Sequence, residues 1–124
     1  MALSSRVNQR QIVFVNWKFP EEPGLLPHPA IVISTSDLFD AEPMFYAVLI
    51  SSANFHPEYT VEISNSDLKG SDKLDHDSYV VTHFISYFEL NDTNIQPLNA
   101  FVTKDKFEEI QNKIIKSVMG LDVE

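Results

Sequence analysis

The 124-residue chain has no cysteine. Disulfides, thiolate metal sites and cysteine nucleophiles are therefore excluded, and a reducing compartment suits it. Glycine is scarce: Gly24, Gly70 and Gly120 are the only three, too few and too scattered to cradle a phosphate, and no G-x-G-x-x-G or P-loop run is present. No apolar run approaches the roughly 18–20 residues of a membrane span. The opening Met1-Ala-Leu-Ser-Ser lacks an apolar signal core. These shortages predict a cytoplasmic protein that does not engage a membrane. Positive charge is the other shortage. Nine Lys and Arg stand against 18 Asp and Glu, a net charge of −9. Arg6 and Arg10 are the only arginines, and no Lys or Arg occurs between Phe19 and Leu68 or between Leu74 and Thr103. Nucleic-acid binding draws most of its strength from cations that neutralise phosphates, so the middle of this chain is poorly equipped for it.

What is present is a globular composition, 44% hydrophobic and 22% charged, on a length that makes one domain. Residues 1–10 are polar and read as a flexible arm, leaving one domain over 11–121. Gln11–Trp17 is apolar and β-branched, a strand. Phe19–Pro29 holds four prolines and a glycine and reads as a loop. Ala30–Thr35 reads as a short buried strand, Ser36–Pro43 as a connection, and Met44–Ser52, the most apolar stretch, as the central strand. Tyr59–Ser64 alternates, so one face is wet. Asn65–Asp77 is a polar loop with turn chemistry at Lys69-Gly70. Ser78–Phe88 is one long bent strand or two short ones, Asn91–Asn99 is turn-rich, and Ala100–Val102 is a last short strand. From Lys104 to Met119 the period changes. Phe107, Ile110, Ile114, Val118 and Leu121 recur at helical spacing, with Thr103 placed to cap the start and Gly120 to stop the end. The pattern predicts a mainly β, α+β fold: a small antiparallel barrel with a C-terminal helix against one side. An open α+β sheet is the alternative.

The chemistry-bearing residues are few. His28, His56, His76 and His83 include no pair closer than seven residues, so none has local metal-ligand spacing and no metal or cofactor is expected. His28 stands between Pro27 and Pro29, which stiffen its backbone. A rigid histidine there can serve as general acid or base, or be an ordinary loop residue. Ser51 and Ser52 end the most apolar strand, where a hydroxyl can meet a phosphate oxygen or bond its own backbone. His83 interrupts Tyr79-Val80-Val81-Thr82-His83-Phe84-Ile85. Regular alternation puts it on the face of Val81 and Ile85, the place of a core histidine. Phe14, Trp17, Phe45, Tyr46, Phe84 and Phe88 can stack bases or fill the core.

The order of segments resembles the PemK/MazF family, toxins of type II toxin–antitoxin pairs. Family chains open with a strand reading roughly D-I-V-W-V-D-F. A Pro/Gly-rich loop ending in R-P follows, then strands like A-L-V-I-S and P-I-T-S, a segment like S-Y-V-L-V-D-Q-I, and a closing helix. Here the corresponding residues are Gln11–Trp17, Glu22–Pro29, Ala30–Ser34, Val48–Ser52, Ser78–Ile85 and the helix from Lys104. The resemblance implies an SH3-like barrel, a homodimer, an antitoxin partner, and metal-independent cleavage of single-stranded RNA, with DNA as a second nucleic-acid ligand. His28 falls where the family keeps arginine, Ser51 where it keeps threonine, His83 where it keeps the acid, and Phe84 where it keeps glutamine. The expected catalytic set is therefore His28, Ser51 and His83, the two imidazoles converging as base and acid. Trp17, Lys18, Ser52 and Thr82 are the expected substrate contacts. The competing expectation is a barrel that has lost turnover and acts as a protein-binding module, its acidic surface selecting a basic partner.

Overall fold

Apolar residues alternating between two sides of each strand decide the architecture. The computed structural model describes residues 7–18, 24–54, 56–89 and 95–120. Its strands are β1 (Gln11–Lys18), β2 (Leu25–Val32), β3 (Met44–Ser51), β4 (Thr60–Ile63), β5 (Leu68–Lys69), β6 (Ser78–Glu89) and β7 (Gln96–Val102). The helices are α1 (Ser36–Ala41) and α2 (Lys104–Met119). Among the described residues the strands form one antiparallel sheet in the order β4-β6-β3-β2-β1-β7-β5, curled into a half-barrel.

The inner strands are buried on both faces, which is why they read as near-continuous apolar runs rather than as alternation. Ile12, Ile31, Val48, Ile50 and Val80 pack under α2 with Phe107 and Ile110. Their neighbours Val13, Ala30, Val32, Leu49 and Val81 turn the other way and pack with Val15, Trp17 and Phe45. Each buried side chain of this size contributes about 1.5–3 kcal/mol. The helix begins at Lys104 and ends at Met119, and Gly120 stops it in the left-handed conformation at φ 77°, as its sequence predicts. Thr103 occupies the cap position, but its hydroxyl makes no capping bond.

Several expectations change. The Pro-rich segment is not a loop throughout: β2 starts at Leu25 and includes Pro27 and Pro29. Ile33 donates its N–H to Tyr46 of β3, whereas Val32 accepts from Arg10 on the opposite side. Odd-numbered residues of β2 therefore face β3, and β3 pairs with β2 only at Ala30, Ile31 and Val32. The missing donors of Pro27 and Pro29 fall where that partner has left, the position a strand tolerates. Residues 36–41 form a helical turn, capped by Thr35, whose hydroxyl accepts from the Leu38 N–H at 3.2 Å. The last strand begins at Gln96, before the expected Ala100. Pro97 is accommodated because β5 reaches only Phe101 and Val102. At the other end, Val7 is buried and the Gln9 amide bonds the Ile33 carbonyl at 2.9 Å. The expected arm is therefore tied down over residues 7–10, while residues 1–6 lie outside the described residues.

Candidate functional site

A cavity of about 180 Å³ opens where β2 and β3 part. His28, Ser51, Ser52, His76 and Ser78 line it together with Asp75 and the apolar walls Phe14, Pro29 and Ile50. His28 is paired with Val15 in the β1–β2 ladder, and its half-buried ring hydrogen-bonds the backbone of Ile50. Burial pushes its pKa below the ordinary histidine value, and the bond to Ile50 opposes that only in part. The imidazole is thus neutral at pH 7, the form that accepts a proton.

Ser51 ends β3 opposite Tyr79 and is buried, and its hydroxyl oxygen accepts from the Ala53 N–H at 3.1 Å. Its hydroxyl hydrogen is a separate donor. Ser52 is exposed. The far wall is supplied by the chain entering β6. Leu74 is clamped by Asn65, which accepts from its N–H at 2.8 Å and donates to its carbonyl at 3.0 Å. Ser78, buried at the head of β6, donates to the His76 carbonyl at 3.1 Å. Asp75 and His76 are therefore displayed between two fixed points. Among the described residues the cavity gathers two imidazoles, three hydroxyls and one carboxylate.

The structure joins His28, Ser51 and Ser52, as the sequence predicts, but it does not join His83 to them. Val81 faces Leu49 and Ile85 faces Val48, so residues 82–84 bulge out of the β3–β6 ladder. The bulge breaks the alternation, and His83 is exposed instead of sharing the buried face of Val81. Its ring lies 5.5 Å from His56, 5.2 Å from Tyr59 and 4.8 Å from Phe84, centroid to centroid. The expected convergence of His28 and His83 is thus replaced by a shared cavity for His28 and His76. Burial and the neighbouring His56 lower the His83 pKa, against Glu58, which raises it.

The expected substrate contacts divide. Thr82 is fully buried and donates to the Tyr59 carbonyl at 2.6 Å, a structural bond. Trp17 is buried against Phe88, with centroids 5.7 Å apart, so it is core. Lys18 is the last residue of β1, opposite Leu25. His76 escaped the sequence reading because it lies in a polar loop with no motif around it. The signal was topological: if Met44–Ser52 pairs antiparallel with Ser78–Phe88, the residues before Ser78 must adjoin those ending the first strand. Among the described residues, no group of three or more His, Asp or Glu side chains is arranged to hold a metal ion, and no helix is long and apolar enough to cross a membrane. A larger hollow of about 550 Å³ at the opposite end of β3 is lined, among the described residues, by Glu42, Pro43, Met44, Tyr87 and Glu89, with no imidazole or lysine among them.

Solved structures share this architecture. MazF from Deinococcus radiodurans is 16% identical, with a TM-score of 0.70 over 93% of this chain and 97% of that one. An endoribonuclease from a Mycobacterial species, solved in complex with its cognate antitoxin, is 13% identical, with a TM-score of 0.70 over 96% and 100%. The MazE–MazF complex of D. radiodurans gives 17% identity and a TM-score of 0.67 over 94% and 98%. Identities this low establish a shared fold: the curled sheet with a C-terminal helix is that of the MazF toxins. A search of curated sequences gave no match. Residues 8–118 match the family described as the PemK-like, MazF-like toxin of type II toxin–antitoxin systems, and the chain belongs to that family.

Proposed function

We propose that this protein is a growth-inhibiting toxin that cuts single-stranded RNA without a metal ion, in the cavity where β2 and β3 part. One observation carries the reading: His28 of β2, with Ser51 at the end of β3 and Ser52 just past it, meets His76 around a single cavity of about 180 Å³. The neutral His28 ring takes the proton of a ribose 2′-hydroxyl. The 2′-oxygen attacks phosphorus, the bond from phosphorus to the 5′-oxygen breaks, and His76 delivers a proton to that leaving oxygen. The products are a 2′,3′-cyclic phosphate and a 5′-hydroxyl. The Ser51 and Ser52 hydroxyls donate to the non-bridging oxygens, where charge builds up during the attack.

The two structural relatives solved with antitoxins support an antitoxin partner here. An exposed stripe of Tyr46, Tyr87 and Ile85, with Val118 and Met119 exposed at the end of α2, supports a homodimer that covers it. The site of action is the cytoplasm, where RNA is.

The test is cleavage of a single-stranded oligoribonucleotide by the purified protein in excess EDTA. We expect cyclic-phosphate products from the native chain and their loss in His28→Ala, together with loss of growth inhibition when that variant is expressed. A native chain that leaves RNA intact, with or without added divalent ions, overturns the reading.

A further inference from the structure

His83 stands away from the cavity, in a group of rings that the cleavage reaction does not use. His56, Tyr59 and His83 lie within 5.2–6.3 Å of one another, centroid to centroid, and all three are exposed. The group is built rather than accidental. Thr82, fully buried, ties the Tyr59 carbonyl to β6, and Tyr59 donates its N–H to the His56 carbonyl at 2.8 Å. The Thr60 hydroxyl donates to Asn54 at 2.9 Å, and Pro57 opens the single helical turn that carries Tyr59. None of the three rings belongs to a buried core cluster, so their faces are open to a ligand.

Position and charge select that ligand. Ser52 of the cavity and His56 of the ring group are four positions apart in the sequence, at most about 14 Å of chain. On the far side, Lys113 and Lys116 of α2 meet Thr60 and Val61, with Glu109 and Asn112, around a hollow of about 440 Å³. Tyr59 of the ring group directly precedes Thr60 of that hollow, so along the chain the rings stand between the cavity and a lysine pair. A chain with no Lys or Arg between Phe19 and Leu68 must take hold of nucleic acid by something other than charge along that stretch. Stacking on rings meets this need, since every base has a flat face and stacking requires no cation.

We propose that His56, Tyr59 and His83 form a stacking subsite for one unpaired base of single-stranded RNA, and that Lys113 and Lys116 receive a neighbouring phosphate. The subsite rests on the reading of the chain as an RNA-acting toxin, but its binding is measured apart from cleavage. The probe is a 2′-O-methyl hexanucleotide, which has no free 2′-hydroxyl to attack, carrying one 2-aminopurine whose fluorescence falls on stacking.

The native chain quenches the probe. The double variant His56→Ala, Tyr59→Ala weakens binding roughly 5- to 100-fold, the range for one stacked base, while Tyr59→Phe binds as the native chain does. The plot of log K against log salt has a slope of about −0.7, one single-strand phosphate's worth, and flattens in Lys113→Gln, Lys116→Gln. On cleavable RNA the ring variants raise KM and leave kcat in place. Absence of quenching by the native chain, or ring variants that bind the probe as tightly as it does, overturns the subsite. Ring-dependent binding by a chain that cuts no RNA preserves the subsite and overturns the cleavage reading instead.

Discussion

Two places in this molecule gather a pair of histidines, and they differ in what holds them. His28 is set into a strand, half-buried, with its ring on the Ile50 backbone. His83 rides a bulge and His56 the approach to a helical turn, both in the open. The difference shows what each place can do. Proton transfer rewards a ring whose protonation state its surroundings control, and partial burial gives that control. Stacking rewards open ring faces, and a bulge provides them by lifting a side chain off the sheet. The relation is sharpest in one pair of substitutions. His28→Ala is expected to lower kcat by about 10²- to 10⁴-fold, the usual loss of a general base, and His83→Ala to change kcat less than twofold. Single-turnover cleavage of one RNA by both variants checks it. Equal losses would erase the distinction between the two places.

The clamp behind the cavity offers the next contrast. Asn65 satisfies both backbone groups of Leu74 with one side chain, whereas in the ring group the Tyr59 carbonyl is held by Thr82 of β6. Asn65→Ala leaves that N–H and carbonyl without their partner, a loss of about 1–3 kcal/mol. It also frees the segment that presents His76. We expect a lower urea midpoint and a kcat reduced about tenfold, with quenching of the 2-aminopurine probe unchanged. Gly70 guards the same segment from the other side. Its φ is 110°, and a Cβ there would run into the Asn99 carbonyl, so Gly70→Ala should act in the same direction on stability.

Acidity tests the cavity more gently than either substitution. His28 in the folded chain binds its proton below the ordinary value, so the base stays competent as pH falls past about 6.5 and fails only at the lower folded pKa. The unfolded chain takes up that proton first. His28 therefore contributes stability above the unfolded value, and this contribution is lost as pH falls from there toward the folded one. The expected results are an acid limb of kcat/KM displaced below 6.5, and a urea midpoint whose decline over the same window is shallower in His28→Asn. An acid limb above 6.5 would contradict the burial of the ring.

Much of this was legible in the residues. Gln11–Trp17 and Met44–Ser52 read as strands because burial on both faces makes them apolar runs, and Lys104–Met119 reads as a helix because its apolar residues recur at helical spacing; the structure places strands and a helix there. Leu25–Pro29 misled because proline forbids only a ladder with partners on both sides, and whether β3 accompanies β2 that far is a tertiary fact. His83 misled for a related reason. A bulge is fixed by how two strands fit together, here β3 against β6, and no local residue pattern announces it. The candidate cavity was half legible: Ser51 follows from being the end of an apolar strand, whereas His76 follows only from knowing which strand lies beside it.

The smallest expected effect belongs to Asp75, the one carboxylate among the described residues on a cavity wall that must accept a phosphodiester. A unit charge about 7 Å from that phosphate, in water-like surroundings, costs about 0.6 kcal/mol, or roughly threefold in affinity. Asp75→Asn should therefore lower KM about threefold at low ionic strength, and the gain should vanish near 1 M salt, where screening shortens to about 3 Å. The probe bound at the rings, farther along the path, should be indifferent to the substitution. A fall in kcat in place of the fall in KM would mean that the carboxylate instead positions its neighbour His76, the ring that donates the proton. Either result ties Asp75 to the cavity and sets it apart from Glu58, whose carboxylate acts on His83 in the exposed group.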